Sequence, residues 1–379
     1  MTQAVAVYRN GLIFDGRCLR EGHAIRFENG VLTAFGPAAD VPQDGEVVDL
    51  AGDIISAGYV DLQVNGGDGV MFNEDPSQGA LHRIAAAHRQ LGVTVLLPTL
   101  ITDTADKSQA AIAAAIDAVR AGTPGIAGLH LEGPHLSISR KGAHDPALIR
   151  PMEKEDLDAL LAAAEALPVL KVTVAPENVT EAQVAALSKA GVLVSLGHTD
   201  ADFGTCCRYF AAGARCVTHL FNAMSQLGNR EPGLVGATLA TRAISSGLIA
   251  DGVHVHPESM RTAWAAKAGP GRIFLVSDAM AVAGTDRTTF ELGGREISRK
   301  NGTLTLADGT LAGADLDLTT AIRVSVEKVG LRLHDALQAA TSTPADLIGR
   351  PIVDLSPGAA ALSDFIRISQ DLRGVSVLS

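Results

Sequence analysis

The sequence predicts an α/β fold: a (β/α)8 barrel with a small β-sandwich domain built from both chain ends. Three observations point there. Between Gly58 and Asp278 short apolar runs alternate with alanine-rich helical stretches, the pattern of repeated βα units and a parallel sheet. Both ends of the chain instead carry short alternating runs punctuated by turn residues. At 379 residues the chain exceeds what one core usually supports, so a TIM-type barrel with a smaller companion fits its length.

At the N-terminal end, alternating runs at 5–8, 23–27 and 46–49 are separated by Asn10-Gly11, Asn29-Gly30 and Asp44-Gly45, which is hairpin chemistry. Runs at 365–368 and 375–378 have the same character, and both ends are expected to join in one unit formed by 1–55 and 347–379. The barrel, 56–346, is then inserted between them. Its eight expected strands are 59–64, 93–97, 126–131, 170–174, 192–196, 216–218, 248–250 and 273–276, with helices among them at 81–91, 105–120, 153–167 and 181–190. Residues 290–311 read as glycine-punctuated hairpins forming a flap near the mouth, and helices at 316–329 and 334–340 finish the barrel.

Composition narrows the function. Hydrophobic residues make up 47% and charged residues 19%, as in a compact enzyme rather than a disordered chain. The net charge of −11, without a basic cluster, excludes nucleic acid and an anionic membrane surface as main partners. A small anionic substrate stays open, because one Arg and a few backbone N–H groups can hold a phosphate inside an acidic protein. Cys18, Cys206, Cys207 and Cys216 show no C-x-x-C spacing and read as reduced thiols. Residues 1–10 lack a basic start followed by an apolar run, and no apolar segment approaches the ~18 residues that span a bilayer. A cytoplasmic location is expected.

Active sites of such barrels lie at the C-terminal ends of the strands. Here the runs end in Gln63-Val64-Asn65, Glu132, His198, His219, Asp251 and Asp278. Glu132, His198 and His219 offer one carboxylate and two imidazoles on three strands, a donor set that suits a catalytic zinc with an open position. His130 lies on the same strand face as Glu132 and is a rival ligand or a supporting group, ranked below the other three.

The segments around these residues form an ordered series. Ser56-Ala57-Gly58-Tyr59-Val60-Asp61, Leu131-Glu132-Gly133-Pro134-His135 and Lys141-Gly142-Ala143-His144 come first. Ser195-Leu196-Gly197-His198-Thr199, Thr218-His219-Leu220-Phe221-Asn222-Ala223-Met224 and Gly228-Asn229-Arg230-Glu231-Pro232-Gly233 follow. Asp251-Gly252-Val253-His254, Val276-Ser277-Asp278-Ala279 and Leu311-Ala312-Gly313 complete it. Over essentially the whole chain this series resembles the N-acetylglucosamine-6-phosphate deacetylases of the amidohydrolase superfamily. The resemblance implies that Glu132, His198 and His219 hold one divalent metal ion per subunit, zinc first, with iron, cobalt or manganese as alternatives. It makes Asp278 the general base and acid for a water activated by that metal, and puts His144 beside the acyl oxygen with the backbone of Ala143. Asn222, Ala223 and Arg230 are implied to hold the phosphorylated amino sugar, with Asp251, His254, Leu311, Ala312 and Gly313 along the sugar. It further implies a homodimer in which Arg230 reaches the neighbouring site.

Many superfamily members carry His-x-His at the end of the first barrel strand and build two-metal centres with it. This chain has Gln63-Val64-Asn65, and amides are poor zinc ligands, so one metal is expected. The alternatives are a deacetylase of N-acetylgalactosamine 6-phosphate or of another N-acyl substrate, and a non-catalytic amidohydrolase-like binding protein. A nucleotide site is discarded, because neither Gly66-Gly67-Asp68-Gly69 nor Gly293-Gly294 opens a helix.

Overall fold

The computed structural model of the chain describes residues 4–350 and 353–379. Residues 1–3 and 351–352, which belong to the expected two-ended unit, lie outside the described residues.

At its centre is an eight-stranded parallel sheet whose strands follow one another in chain order. They are β1 (Tyr59–Val64), β2 (Val93–Ile101), β3 (Leu129–Glu132), β4 (Leu170–Val174), β5 (Leu193–Leu196), β6 (Cys216–Val217), β7 (Ser245–Leu248) and β8 (Ile273–Leu275). Backbone ladders join each strand to the next from β1 to β8. Between β8 and β1 the closure is made differently. A single bridge pairs Val64 with Ala279, the Asp278 N–H donates to the Gln63 carbonyl at 3.1 Å, and the Asn65 N–H donates to that of Ala279 at 2.8 Å. One layer deeper, the buried Asp61 carboxylate accepts the Ser277 N–H at 3.2 Å and the Gln63 N–H at 3.2 Å. The seam that closes the barrel therefore runs past the residues flanking Gln63 and Asp278.

Helices cover the outside of the barrel, and their starts are written in the sequence. Thr104 caps Ala105–Arg120 by accepting the Lys107 N–H, and the small residues Ala111, Ala114, Ala115 and Ala118 let that helix lie close on the sheet. Thr180 and Gln183 form a capping box at the start of Glu181–Lys189. The expected helix at 316–329 is α-helical over Leu318–Val324 and widens into a π turn over Ser325–Val329.

Three strands differ from their expected bounds by more than one residue. β2 runs on to Ile101, because Pro98 sits where the register with β1 shifts and so does not end the strand. β3 begins at Leu129, since a Cβ on Gly128 would fall 1.9 Å from the Val169 carbonyl oxygen and the chain before it makes only a bridge from Ile126 to Leu96. β7 is Ser245–Leu248 rather than 248–250. Its Ser245, Ser246 and Gly247 are buried without being apolar, so the apolar run Leu248-Ile249-Ala250 marks the exit of the strand and not its body.

The chain ends pair as two sheets. One orders Val31–Pro37, His23–Glu28, Val5–Arg9 and Glu46–Asp49; the other orders Val375–Val377, Phe365–Ile368, Ile54–Ala57, Leu12–Phe14 and Leu19–Arg20. Between them Tyr8, Ile25, Phe27, Leu32, Ile55 and Phe365 form a separate apolar core. Phe27 is its centre, meeting Tyr8 edge-on at 6.0 Å and Phe365 at 5.3 Å. The strand Ile54–Ala57 passes directly into β1, and Gly58 at the junction leaves room for the Thr94 side chain 2.1 Å from where a Cβ would stand. A three-stranded antiparallel sheet, Thr289–Leu292, Arg295–Lys300 and Thr303–Thr305, forms the expected flap and buries Phe290, Leu292, Ile297 and Leu304 against Met280 and Ala312. Among the described residues no helix is long and apolar enough to cross a membrane.

Truncating Phe27→Ala removes both ring contacts and leaves a cavity between the two sheets. Chemical denaturation should show a loss of ~3–5 kcal/mol in stability; a loss below about 1 kcal/mol would mean that the sheets can collapse around the gap.

Candidate active site

The strand ends converge on one cavity of about 250 Å³ at the mouth, lined among others by Glu132, His144, His198, His219, His254 and Asp278. Glu132 is the last residue of β3, while His198, His219 and Asp278 stand just beyond β5, β6 and β8. Each of those three has a left-handed backbone, with φ of 48°, 30° and 50°. Such angles are unfavourable for residues with a Cβ and persist where surrounding structure enforces them. The sharp turn aims each side chain across the barrel mouth instead of along its strand.

The Glu132 Oε1 lies 3.1 Å from His198 Nε2 and 3.0 Å from His219 Nε2, and the two imidazole nitrogens are 3.1 Å apart. All three residues are buried. Corners of a tetrahedron with zinc-like bonds of ~2.1 Å are roughly 3.4 Å apart, so the spacing suits three ligands of one ion. The tautomer agrees. His198 Nδ1 donates to the Arg140 carbonyl at 2.8 Å, which leaves the Nε2 lone pair free to face a metal. By geometry as well as by type, these three residues could hold a metal ion.

The second Glu132 oxygen accepts from Gln63 Nε2 at 3.2 Å, and the same amide donates to Asp278 Oδ1 at 3.1 Å. Asn65 Nδ2 donates to that Asp278 oxygen at 2.7 Å. The two amides of β1 thus hold the two carboxylates. Burial works against the charge on Glu132, yet the imidazoles of His198 and His219 beside it keep its carboxyl well below the usual range. Asp278 goes the other way: burial raises it, and the neighbouring Glu132 charge raises it further.

His144 is buried with its ring 4.4 Å from that of His198, edge to face, and burial pushes it down to about 3. It is neutral at physiological pH. His254 Nδ1 is bound by Asp251 Oδ2 at 2.6 Å, while the other Asp251 oxygen accepts the Val253 and His254 N–H groups at 2.8 Å. Asp251 therefore orients His254 and does not itself line the cavity.

Of the remaining candidates, Ala143, Asn222, Ala223, Leu311 and Gly313 line the cavity. Ala312 points instead into the apolar cluster beneath the flap, with Met280 and Phe290. Arg230 is exposed on the loop before Gly233–Ala240, away from the cavity of its own chain. His130 is not a ligand here. Its Nδ1 meets the Thr99 hydroxyl at 3.1 Å and its Nε2 meets that of Thr173 at 2.8 Å, so both nitrogens are used inside the barrel. Reading the strand ends left out Ile101, Ile249, Met280, Leu292 and Thr310, which complete the wall. It also left out Thr102, one residue past β2, whose only signal is a polar residue ending an apolar run.

Fold and site together define a barrel hydrolase whose rim carries a Glu/His/His set suited to a divalent metal. The signature of the Amidohydrolase family matches residues 54–368, and the chain belongs to that family. Among its relatives, an N-acetylgalactosamine-6-phosphate deacetylase from a Shewanella species is 40% identical over 375 residues, covering 97% of this chain and 94% of the relative. An N-acetylglucosamine-6-phosphate deacetylase from Haemophilus influenzae is 34% identical over 343 residues, with 90% and 89% covered. The crystal structure of N-acetylglucosamine-6-phosphate deacetylase from Pasteurella multocida superposes with a TM-score of 0.89 at 31% identity, covering 98% of this chain and 97% of the other.

Proposed function

We propose that the protein hydrolyses the acetamide of N-acetylglucosamine 6-phosphate, releasing acetate and glucosamine 6-phosphate. The observation that carries this reading is the placement of Asp278 beside the Glu132, His198 and His219 set, in a chain that aligns over nearly its whole length with deacetylases of hexosamine 6-phosphates. One divalent ion per subunit, zinc by the donor set, would be held by those three residues, and when bound it supplies polarisation of the acyl oxygen and activation of water.

The chain's own groups do the proton work. Asp278, fixed by Asn65 and Gln63, takes a proton from the attacking water as its oxygen bonds to the acyl carbon. The same carboxyl returns that proton to the sugar nitrogen as the C–N bond breaks, so acetate and a free amine leave with the proton count balanced. A carboxyl raised by burial and by a neighbouring charge is a better proton acceptor than an ordinary aspartate, which suits both halves of the cycle. His144, in the same wall, donates to the acyl oxygen.

Binding of the sugar phosphate falls to Asn222, the backbone of Ala223, and His254, with Arg230 entering from a second copy. Ile138, Leu227 and Val253 are exposed apolar residues on three loops of the mouth, the first following β3 and the others following β6 and β7. Large apolar side chains on the loops that carry Arg230 and His254 support a homodimer with its interface along this rim. The galacto epimer is the second reading, favoured by the 40% identity to the Shewanella enzyme.

The test is acetate release from N-acetylglucosamine 6-phosphate, its galacto epimer and unphosphorylated N-acetylglucosamine, on metal-counted protein before and after chelation. Chelation-sensitive release favouring the phosphorylated gluco substrate supports the reading; preference for the galacto epimer moves it to the second, and release from none removes both. Asp278→Asn should retain the bound metal and lose turnover by ~10²–10⁴-fold. Near-normal turnover would take Asp278 out of the chemistry. Arg230→Ala should raise KM for the phosphorylated sugar far more than for the unphosphorylated one, and an equal effect on both would show that Arg230 does not read the phosphate.

A further inference from the structure

Among the described residues, the side-chain hydrogen bonds of His144 both come from Thr102. The Thr102 N–H points at His144 Nδ1 over 3.3 Å, and the Thr102 hydroxyl lies 2.8 Å from the same nitrogen. A backbone N–H can only donate, so Nδ1 has to be the unprotonated nitrogen. The proton then sits on Nε2, at the opposite edge of a ring that lines the cavity. In the other tautomer two N–H groups would face each other in a buried place, and the cavity would meet a lone pair.

Several features exist to keep Thr102 there. Gly133, at φ 89°, has the Thr102 Oγ1 2.2 Å from where a Cβ would stand, so only glycine admits the hydroxyl. The Glu132 carbonyl oxygen lies 3.4 Å from the same hydroxyl, at the longer of its two contacts, so the one hydroxyl proton goes to His144 Nδ1 at 2.8 Å. Asn73 clamps the preceding residue on both sides, accepting the Ile101 N–H at 3.1 Å and donating to the Ile101 carbonyl at 3.1 Å, with a further bond to Asp103 at 2.9 Å. The backbone that carries Thr102 is held by a side chain where the β2 ladder has ended.

We propose that Thr102 is a positioning residue for the deacetylation: its N–H and hydroxyl fix the Nε2-protonated tautomer of His144 and aim that N–H at the acyl oxygen. This rests on the reading of His144 as a donor to the acyl group. A hydrogen-bond donor preset toward the developing oxyanion gains its value from not having to reorganise during the reaction.

The test combines ¹⁵N NMR of histidine-labelled, zinc-loaded protein with kinetics of Thr102→Val and Thr102→Ser. The wild-type spectrum should show an unprotonated Nδ1 and a protonated Nε2 for His144, assigned by its disappearance in His144→Asn. Thr102→Val keeps the N–H and loses the hydroxyl, so kcat should fall about 10-fold, less than the ~10²–10³-fold cost of removing an oxyanion donor outright, with KM within about twofold. Thr102→Ser should recover most of kcat and keep the wild-type tautomer. A protonated Nδ1 in the wild type overturns the proposal, as does a Thr102→Val enzyme with wild-type kcat or a Thr102→Ser enzyme as slow as the valine variant. If Thr102→Val does not fold, the wild-type spectrum and the Thr102→Ser kinetics decide. Should the wild type release no acetate at all, the functional reading fails and the tautomer spectrum still judges Thr102.

Discussion

Glu132 is an ionised carboxylate with 2% of its surface exposed, and taking such a charge out of water costs several kcal/mol unless its surroundings answer it. The site is organised around that cost. Two imidazoles meet one carboxylate oxygen and the Gln63 amide meets the other. A second buried carboxylate, Asp278, stands close enough to share that amide, which concentrates negative charge at a point where a divalent cation would relieve it. The same arrangement separates the two acids: imidazoles hold Glu132 ionised, while burial and its neighbour's charge raise Asp278, which suits the proposed split into ligand and proton carrier.

Holding this cluster takes backbone as well as side chains. His198, His219 and Asp278 all adopt left-handed angles, and the strain is borne by a barrel whose ladders end just beneath them. The closure between β8 and β1 is sparse in backbone bonds, and it is there that Gln63, Asn65 and Asp278 interlock. Chain closure and acid placement are therefore one structural feature. Below it the interior stays polar, with hydroxyls of Thr99 and Thr173 occupying both nitrogens of His130. That network supports the floor of the site and keeps a third imidazole out of it.

Much of this was legible in the sequence because apolar runs that end abruptly in Glu, His or Asp are informative in a barrel. Glu132, His198, His219 and Asp278 all carry that mark, and the structure brings them to one mouth. The strand Ser245–Leu248 was shifted in the reading because its interior residues are small and polar, so the apolar pattern marks the wrong three residues. His130 shares a strand face with Glu132, and only its two hydroxyl partners, from β2 and β4, distinguish it from a ligand. Thr102 gives no chemical signal by itself, since its importance lies in which nitrogen it meets. The orientation of Ala312 beneath the flap likewise depends on packing between segments far apart in the chain.

The central claim is that Glu132, His198 and His219 hold one ion while the amides of Gln63 and Asn65 stand where a second would be held. Anomalous diffraction from crystals of the zinc-loaded protein tests it most directly. The account predicts a single strong peak per chain, bonded to Glu132, His198 Nε2 and His219 Nε2, with Gln63 and Asn65 bonded to the carboxylates. Two peaks, with either amide as a ligand, or a single peak away from those three residues, would contradict it.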